Sequence, residues 1–179
     1  MPAVIVHTHL GWFWAVARDG KLIASAFAPT REAAADEVTA LGGQLSSDEM
    51  LEALAQEVER YASGEAVDFS HYPVDLSGQS PFWRRAQMAA RKIPHGQVRT
   101  YKWLAAHAGS PRGARAAGQA MAHNAVSPVI PCHRVVASDG SLGGFAGGLD
   151  LKQALLRLEG LSLQNGKLSL GQAGERRRS

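Results

Sequence analysis

Apolar and polar positions follow two different rhythms along the chain. Near the N-terminus the spacing favours strands: Val4-Ile5-Val6 is a β-branched triplet, and Gly11 to Arg18 and Lys21 to Phe27 are apolar-rich runs separated by Asp19-Gly20. That dipeptide between two such runs predicts a hairpin, because both residues tolerate the positive φ of a two-residue turn. The period then becomes helical. Thr30 predicts an N-cap, with Glu32 in the first turn of a helix ending near Gly42-Gly43. Ser46 and Glu49 have capping-box spacing ahead of a second helix that runs to about Tyr61 and stops at Gly64.

From Asp68 to Ser80 the chain is polar and turn-rich, which marks a connection. Beyond it the pattern is mainly helical. Phe82 to Lys92 predicts one helix, closed by Ile93-Pro94 and Gly96, and Thr100 caps a short one from Tyr101 to about Ala108. Gly109-Ser110-Pro111 predicts a tight turn, with Ser110 as cap and Pro111 at the first position of a helix reaching about His123. Helix, short glycine-containing turn, helix is the helix-turn-helix pattern, although many antiparallel helix pairs share it. The expected fold is α+β: a small N-terminal α/β domain with its linker over residues 1–75, a mainly helical domain over 76–163, and a basic, flexible tail over 164–179, including Arg176-Arg177-Arg178.

Composition adds limits. An apolar content of 45% with 20% charged residues is ordinary for a globular protein, and no apolar run has membrane-spanning length. Met1 to Trp14 lacks a basic stretch and a small-residue cleavage site, so no secretory signal is expected. One cysteine makes no internal disulfide, which fits a reducing, cytoplasmic setting.

Charge divides the chain more sharply than hydropathy does. Residues 1–75 carry four basic side chains against twelve acidic ones, whereas residues 76–163 carry eleven basic against three acidic. The second module suits a polyanion such as nucleic acid, though a basic surface that serves only solubility fits the same numbers. The segment Gly113 to Ala122 is built almost wholly from Gly and Ala around Arg115. Such a helix either packs closely on another helix or lets its backbone approach a different surface, with Arg115 projecting alone. Trp12, Trp14, Trp83 and Trp103 fit core packing better than base stacking.

Ile130-Pro131-Cys132-His133-Arg134-Val135-Val136 carries the most chemistry. A lone cysteine is usually a small buried hydrophobe. Between Pro131 and His133, beside Arg134 and in a basic module, its thiolate is favoured, and the thiolate is the nucleophilic form. Adjacent Cys and His make a poor metal site, and no further cysteines exist to complete one. His7 and His9 share one strand face but lack other ligands.

From about Ser80 to Gly160 the chain resembles the O6-alkylguanine-DNA alkyltransferase family. The segments that carry the resemblance are Ile93-Pro94-x-Gly96, Thr100-Tyr101, Arg115-Ala116, Asn124, Pro131-Cys132-His133-Arg134-Val135, Gly147-Gly148-Leu149, Leu155-Leu156 and Glu159-Gly160. The first 75 residues resemble the family only in general layout. The resemblance implies direct-reversal DNA repair, with irreversible one-turnover transfer of an alkyl group from O6 of guanine to Cys132. His133 then takes the thiol proton through a water, and Glu159 orients the imidazole. Asn124 ties together the turn at the active-site end of the recognition helix.

The damaged base must leave the duplex to be reached. By resemblance Arg115 fills the vacated space, Tyr101 crowds the neighbouring phosphate and meets the flipped guanine, and the small residues Ala114, Ala116 and Gly118 let the helix sit in the minor groove. Arg134 supports the pocket, the main-chain oxygens of Cys132 and Val135 read the exocyclic amine, and Phe145 to Leu149, with Gly147, closes over the base. Phe145 and Ala146 stand where tyrosine and serine are frequent in the family, which removes two hydrogen bonds; His123 and Ala122 also depart from it. The expected partner is double-stranded DNA containing O6-alkylguanine, bound by a monomer with no cofactor, metal or membrane. A non-catalytic recognition module would lack the acceptor cysteine, a promoter-binding regulator would need more base-reading side chains than this helix has, and a cysteine hydrolase would need an oxyanion pocket.

Overall fold

The computed structural model describes residues 1–170, which form a mixed α/β fold in two compact units. The first comprises Met1–Gly78 and Ala125–Val129; the second comprises Gln79–Asn124 and, of the described residues, 130–170. The boundary falls at Gly78, inside the turn-rich stretch, but nothing in the sequence pattern assigns Ala125–Val129 to the first unit.

In the first unit, β1 (Pro2–Thr8), β2 (Gly11–Arg18), β3 (Lys21–Ala28) and β4 (Gln44–Leu45) form one sheet in the order β3-β2-β1-β4. β1, β2 and β3 are antiparallel, with Ile5 opposite Trp14 and Trp14 opposite Ala26, and β4 joins β1 in parallel. Asp19 and Gly20 both take positive φ, as the hairpin requires. Phe13 through Ala17 are all buried, so the central strand is covered on both faces. Trp14 and Val16 pack with Ala34 and Val38 of α1 (Arg31–Ala40), and α2 (Glu49–Ala62) packs on β1 and β2 through a buried stripe that includes Leu51, Leu54, Val58 and Tyr61. Ser25 bonds through its N–H to Ala125 O, through its carbonyl to Ser127 N and through its hydroxyl to Ser127 O, which ties Ala125–Val129 to β3.

Thr30 caps α1 as its position predicts, accepting from Ala33 N. For α2 the cap is Asp48 and not Ser46: the helix starts at Glu49, which places that residue at the first position instead of the third, and Asp48 accepts from Leu51 N at 3.0 Å.

The second unit contains α3 (Pro81–Ala90), β5 (Arg99–Thr100), α4 (Tyr101–His107), α5 (Ala114–Ala122), β6 (Val135–Val136), α6 (Leu149–Leu158), β7 (Leu163–Gln164) and β8 (Lys167–Leu168). Ser80 and Thr100 cap α3 and α4. α5 begins later than expected. Gly113 N donates to Ser110 O and closes a turn, so Pro111 and Arg112 precede the helix and Gly113, not Ser110, is its cap. Gln87, fully buried on α3, donates to Ala120 O and fixes the end of α5. Residues 164–170 do not form the flexible tail expected from 164: Asn165 and Gly166 take positive φ and close the β7–β8 hairpin, with Leu168 packed beside Val136 and Leu156. Arg176-Arg177-Arg178 lie outside the described residues. Among those residues no helix is long and apolar enough to cross a membrane.

Candidate active site

Two short strands organise the site. β5 and β6 pair in parallel, Arg99 with Val135 and Thr100 with Val136. β5 runs directly into α4, whose first residue is Tyr101, and the pairing lays β5 alongside β6, which continues directly from a short reactive segment. That segment, Cys132–Arg134, is a single 3-10 turn entered through Pro131.

Cys132 is 4% exposed. Asn124, just beyond α5, donates from Nδ2 to Ile130 O at 2.9 Å and to Cys132 Sγ at 3.2 Å. One amide thus steadies both the loop and the sulfur. A hydrogen bond donated to sulfur favours the thiolate over the thiol.

His133 is fully buried, with Nε2 2.8 Å from Glu159 Oε1. Glu159 closes the C-terminal end of α6 and also accepts from Gly96 N at 3.0 Å through Oε2. Burial alone would push the Glu159 carboxyl upward, but the hydrogen bonds from His133 and Arg134, with the Arg134 charge, outweigh it and hold the group well below the usual carboxylate range. An ionised carboxylate only accepts, so His133 Nε2 carries the ring proton and Nδ1 the lone pair. Burial lowers the His133 pKa, against the pull of Glu159 and with the push of Arg134 and Lys152, so the ring is neutral and basic at Nδ1.

Arg134 neighbours Cys132 in sequence, yet its guanidinium turns to Glu159: Nε lies 3.1 and 3.0 Å from the two carboxylate oxygens and Nη2 lies 2.8 Å from Oε1. Nη1 donates to Ile93 O at 2.7 Å. Its charge is spent on the carboxylate that holds His133, not on the thiol directly.

Lys152 is the residue that the sequence reading misses. It is fully buried on α6, donating from Nζ to Val135 O at 2.8 Å and to Leu142 O. Nζ lies 5.8 Å from the Tyr101 ring centroid and 5.9 Å from that of Phe145. Burial pushes its pKa down to about 8, partly countered by Cys132. A signal was present: Lys152, Leu155, Leu156 and Glu159 share one helical face, and all four are buried. A charge at a core position of an amphipathic helix is an anomaly worth pursuing.

Tyr101 donates to Leu142 O at 3.4 Å, and its hydroxyl pKa is raised by burial and then by Cys132. Gly143, at φ +71°, lies so close that a Cβ there would sit 2.5 Å from the Tyr101 hydroxyl. Gly147 is likewise crowded by Leu151 and the Phe145 ring. Cys132, His133, Glu159, Asn124, Arg134, Val135, Tyr101 and Phe145 are thus linked through shared contacts, although Val135 O is already engaged by Lys152. Ala114 and Gly118 are partly buried on α5, whereas Arg115 and Ala116 are exposed there, and Arg115 makes no hydrogen bond or ion pair with the described residues. His7 lies against the Trp12 ring at a tilt of 49°, and among the described residues no three His, Cys, Asp or Glu side chains gather as metal ligands.

A family model described as 6-O-methylguanine DNA methyltransferase, DNA binding domain, matches residues 81–161. A methylated-DNA–protein-cysteine methyltransferase of Mycolicibacterium paratuberculosis is 46% identical over 99 residues, covering 55% of this chain and 59% of that protein. Another from Methanosarcina acetivorans is 36% identical over 118 residues, covering 65% of this chain and 73% of that protein. The first match spans less than two thirds of its relative's length. Among solved structures, Mycobacterium tuberculosis O6-methylguanine methyltransferase is similar with a TM-score of 0.72 and 29% identity, over 87% of this chain and 90% of that one. Mycobacterium tuberculosis OGT in complex with DNA gives 0.73 and 26%, over 89% and 92%.

Proposed function

The chain belongs to the methylated-DNA–protein-cysteine methyltransferase family, and from that premise we propose that it repairs DNA by moving an alkyl group from O6 of guanine to its own Cys132. The observation that carries this reading is the surrounding of the one cysteine: a buried sulfur accepting from Asn124, followed in the chain by a neutral imidazole held by an Arg134-paired carboxylate.

His133 Nδ1 takes the Cys132 proton through a water, and Glu159 stabilises the imidazolium that results. The thiolate attacks the alkyl carbon in line with the C–O6 bond. As the C–S bond forms, the C–O6 bond breaks, and its electron pair leaves on the guanine as an anion. The Tyr101 hydroxyl faces that charge and stabilises it with a hydrogen bond. Because a thioether is a poor leaving group, Cys132 is not regenerated and each chain acts once, with no cofactor.

α4, the turn at Gly109 to Gly113, and α5 act as a helix-turn-helix whose second helix enters the minor groove of double-stranded DNA. Ala114, Ala116 and Gly118 permit the close approach, and exposed Arg115 fills the gap left by the flipped base. Val135 O and Cys132 O read the guanine amine, while Phe145 and Gly147 cover the base. Affinity then rests on phosphate contacts and falls with salt.

Intact-protein and peptide mass spectrometry after incubation with a duplex carrying one O6-methylguanine tests the proposal. One added methylene on the Cys132 peptide, absent from Cys132→Ala, is the expected result. Tight binding to the damaged duplex without any mass change would instead indicate a recognition module without chemistry.

A further inference from the structure

Alkyl transfer to Cys132 leaves one buried charge in the same unit without a task. Lys152 carries a flexible stem that ordinarily lets an ammonium reach water, yet the side chain is fully buried. Its hydrogen-bond acceptors are two neutral carbonyls, of Val135 on the strand after the cysteine and of Leu142 on the loop before Gly143. Among the described residues it forms no ion pair. Glu159 is committed to His133 and Arg134, and that carboxylate and guanidinium offset each other. The remaining titratable neighbours, buried His133 and half-buried Tyr101, are shifted toward their neutral forms.

A buried cation held only by dipoles is costly unless negative charge enters the same space. Two species in the proposed reaction bring it: the Cys132 thiolate before transfer and the guanine anion after it. The coupling is reciprocal, since charge on Cys132 favours the protonated form of Lys152. The aromatic faces of Tyr101 and Phe145 border the ammonium and place it at the same pocket.

We infer that Lys152 is an electrostatic positioning residue for the alkyl transfer, spanning the Val135 and Leu142 carbonyls and supplying the positive charge against which Cys132 ionises. The inference rests on the proposed reaction. Lys152 makes and breaks no bond. It holds Val135 O in place with one lone pair still available to a guanine amine, and lowers the cost of a thiolate at a buried sulfur.

The test uses the full chain and its one cysteine, whose ionisation is followed by the ultraviolet absorbance of the thiolate, without DNA. Lys152→Gln, which keeps a donor but removes the charge, is expected to raise the Cys132 midpoint by about one pH unit or more. It should also slow single-turnover transfer from an O6-methylguanine duplex by about tenfold or more at neutral pH. Lys152→Arg, which keeps the charge, should stay near the wild-type midpoint. A folded Lys152→Gln with the wild-type midpoint overturns the inference. Should the variants fail to fold, the wild type still decides: the Lys152 side-chain NMR titration should move to lower pH once iodoacetamide has capped Cys132, and an unmoved titration overturns it. A wild type that ionises normally but transfers no alkyl group would instead sink the transferase reading, through mass measurement alone.

Discussion

Asn124 Nδ2 lies 3.2 Å from Cys132 Sγ and 2.9 Å from Ile130 O, so one side chain links the end of α5 to the sulfur and to the loop that carries it. Removing a hydrogen bond to a charged group costs about 1.5–3 kcal/mol, or roughly 10- to 100-fold in rate if the bond is felt mainly by the thiolate. Asn124→Ala should therefore slow transfer in that range. Binding to undamaged duplex should change far less, and rapid-quench single-turnover assays beside a binding titration would separate the two.

Glu159→Gln should destabilise the protein. The substitution keeps the shape of the side chain but leaves the buried Arg134 guanidinium without its counter-charge, a loss of about 3–5 kcal/mol. The folded carboxyl is held below its unfolded pKa, so its contribution is full above about pH 4.3 and is lost as pH falls through the lower folded value. Urea unfolding of both proteins should show a wide gap at neutral pH that narrows in acid. A gap independent of pH would mean the carboxylate charge is not the stabilising feature.

Gly143→Ala combines two penalties. The backbone there is left-handed, at about 1–2 kcal/mol for a residue with a Cβ, and the new methyl would meet the Tyr101 hydroxyl. Lower thermal stability and slower transfer are both expected. In a Tyr101→Phe background the clash is relieved, so the second Ala substitution should cost less; a double-mutant cycle measures the difference.

Lys152 predicts a stability trend at the alkaline end. Its folded pKa is pushed to about 8 by burial, against the attraction of Cys132, while an unfolded lysine titrates near 10.4. Between those values the unfolded chain holds a proton that the folded one has released, so stability rises with pH across that window. Relative to Lys152→Gln, the wild type should gain on the order of 3 kcal/mol from about pH 8 to about pH 10.5. Equal urea midpoints for the pair across that range would show that burial does not strain this ammonium.

Much of this was legible because it is local. Thr30 and Thr100 announce their helices from side chains that act within three residues, and Asp19-Gly20 dictates its own turn. The Cys132-His133-Arg134 run declares reactive chemistry in three letters. Asn165-Gly166 carries the same hairpin signal as Asp19-Gly20, within the stretch expected to be a flexible tail. Other features depend on partners far away in sequence: Arg134 looks like a neighbour of the thiol until Glu159, 25 residues on, claims it. Lys152 gains its meaning only from carbonyls 17 and 10 residues earlier.

Ser25 bonds Ser127 across 102 residues of chain, which makes Ala125–Val129 part of the first unit although Asn124 and Ile130 on either side belong to the second. No single cut therefore releases the reactive half intact. A fragment beginning at Gln79 would still contain those five residues but not the strand edge that receives them, and the orphaned backbone would lie between Asn124 and the carbonyl that Asn124 holds. The acidic N-terminal half is in this sense a template for five residues that the chain places between two segments of the basic half.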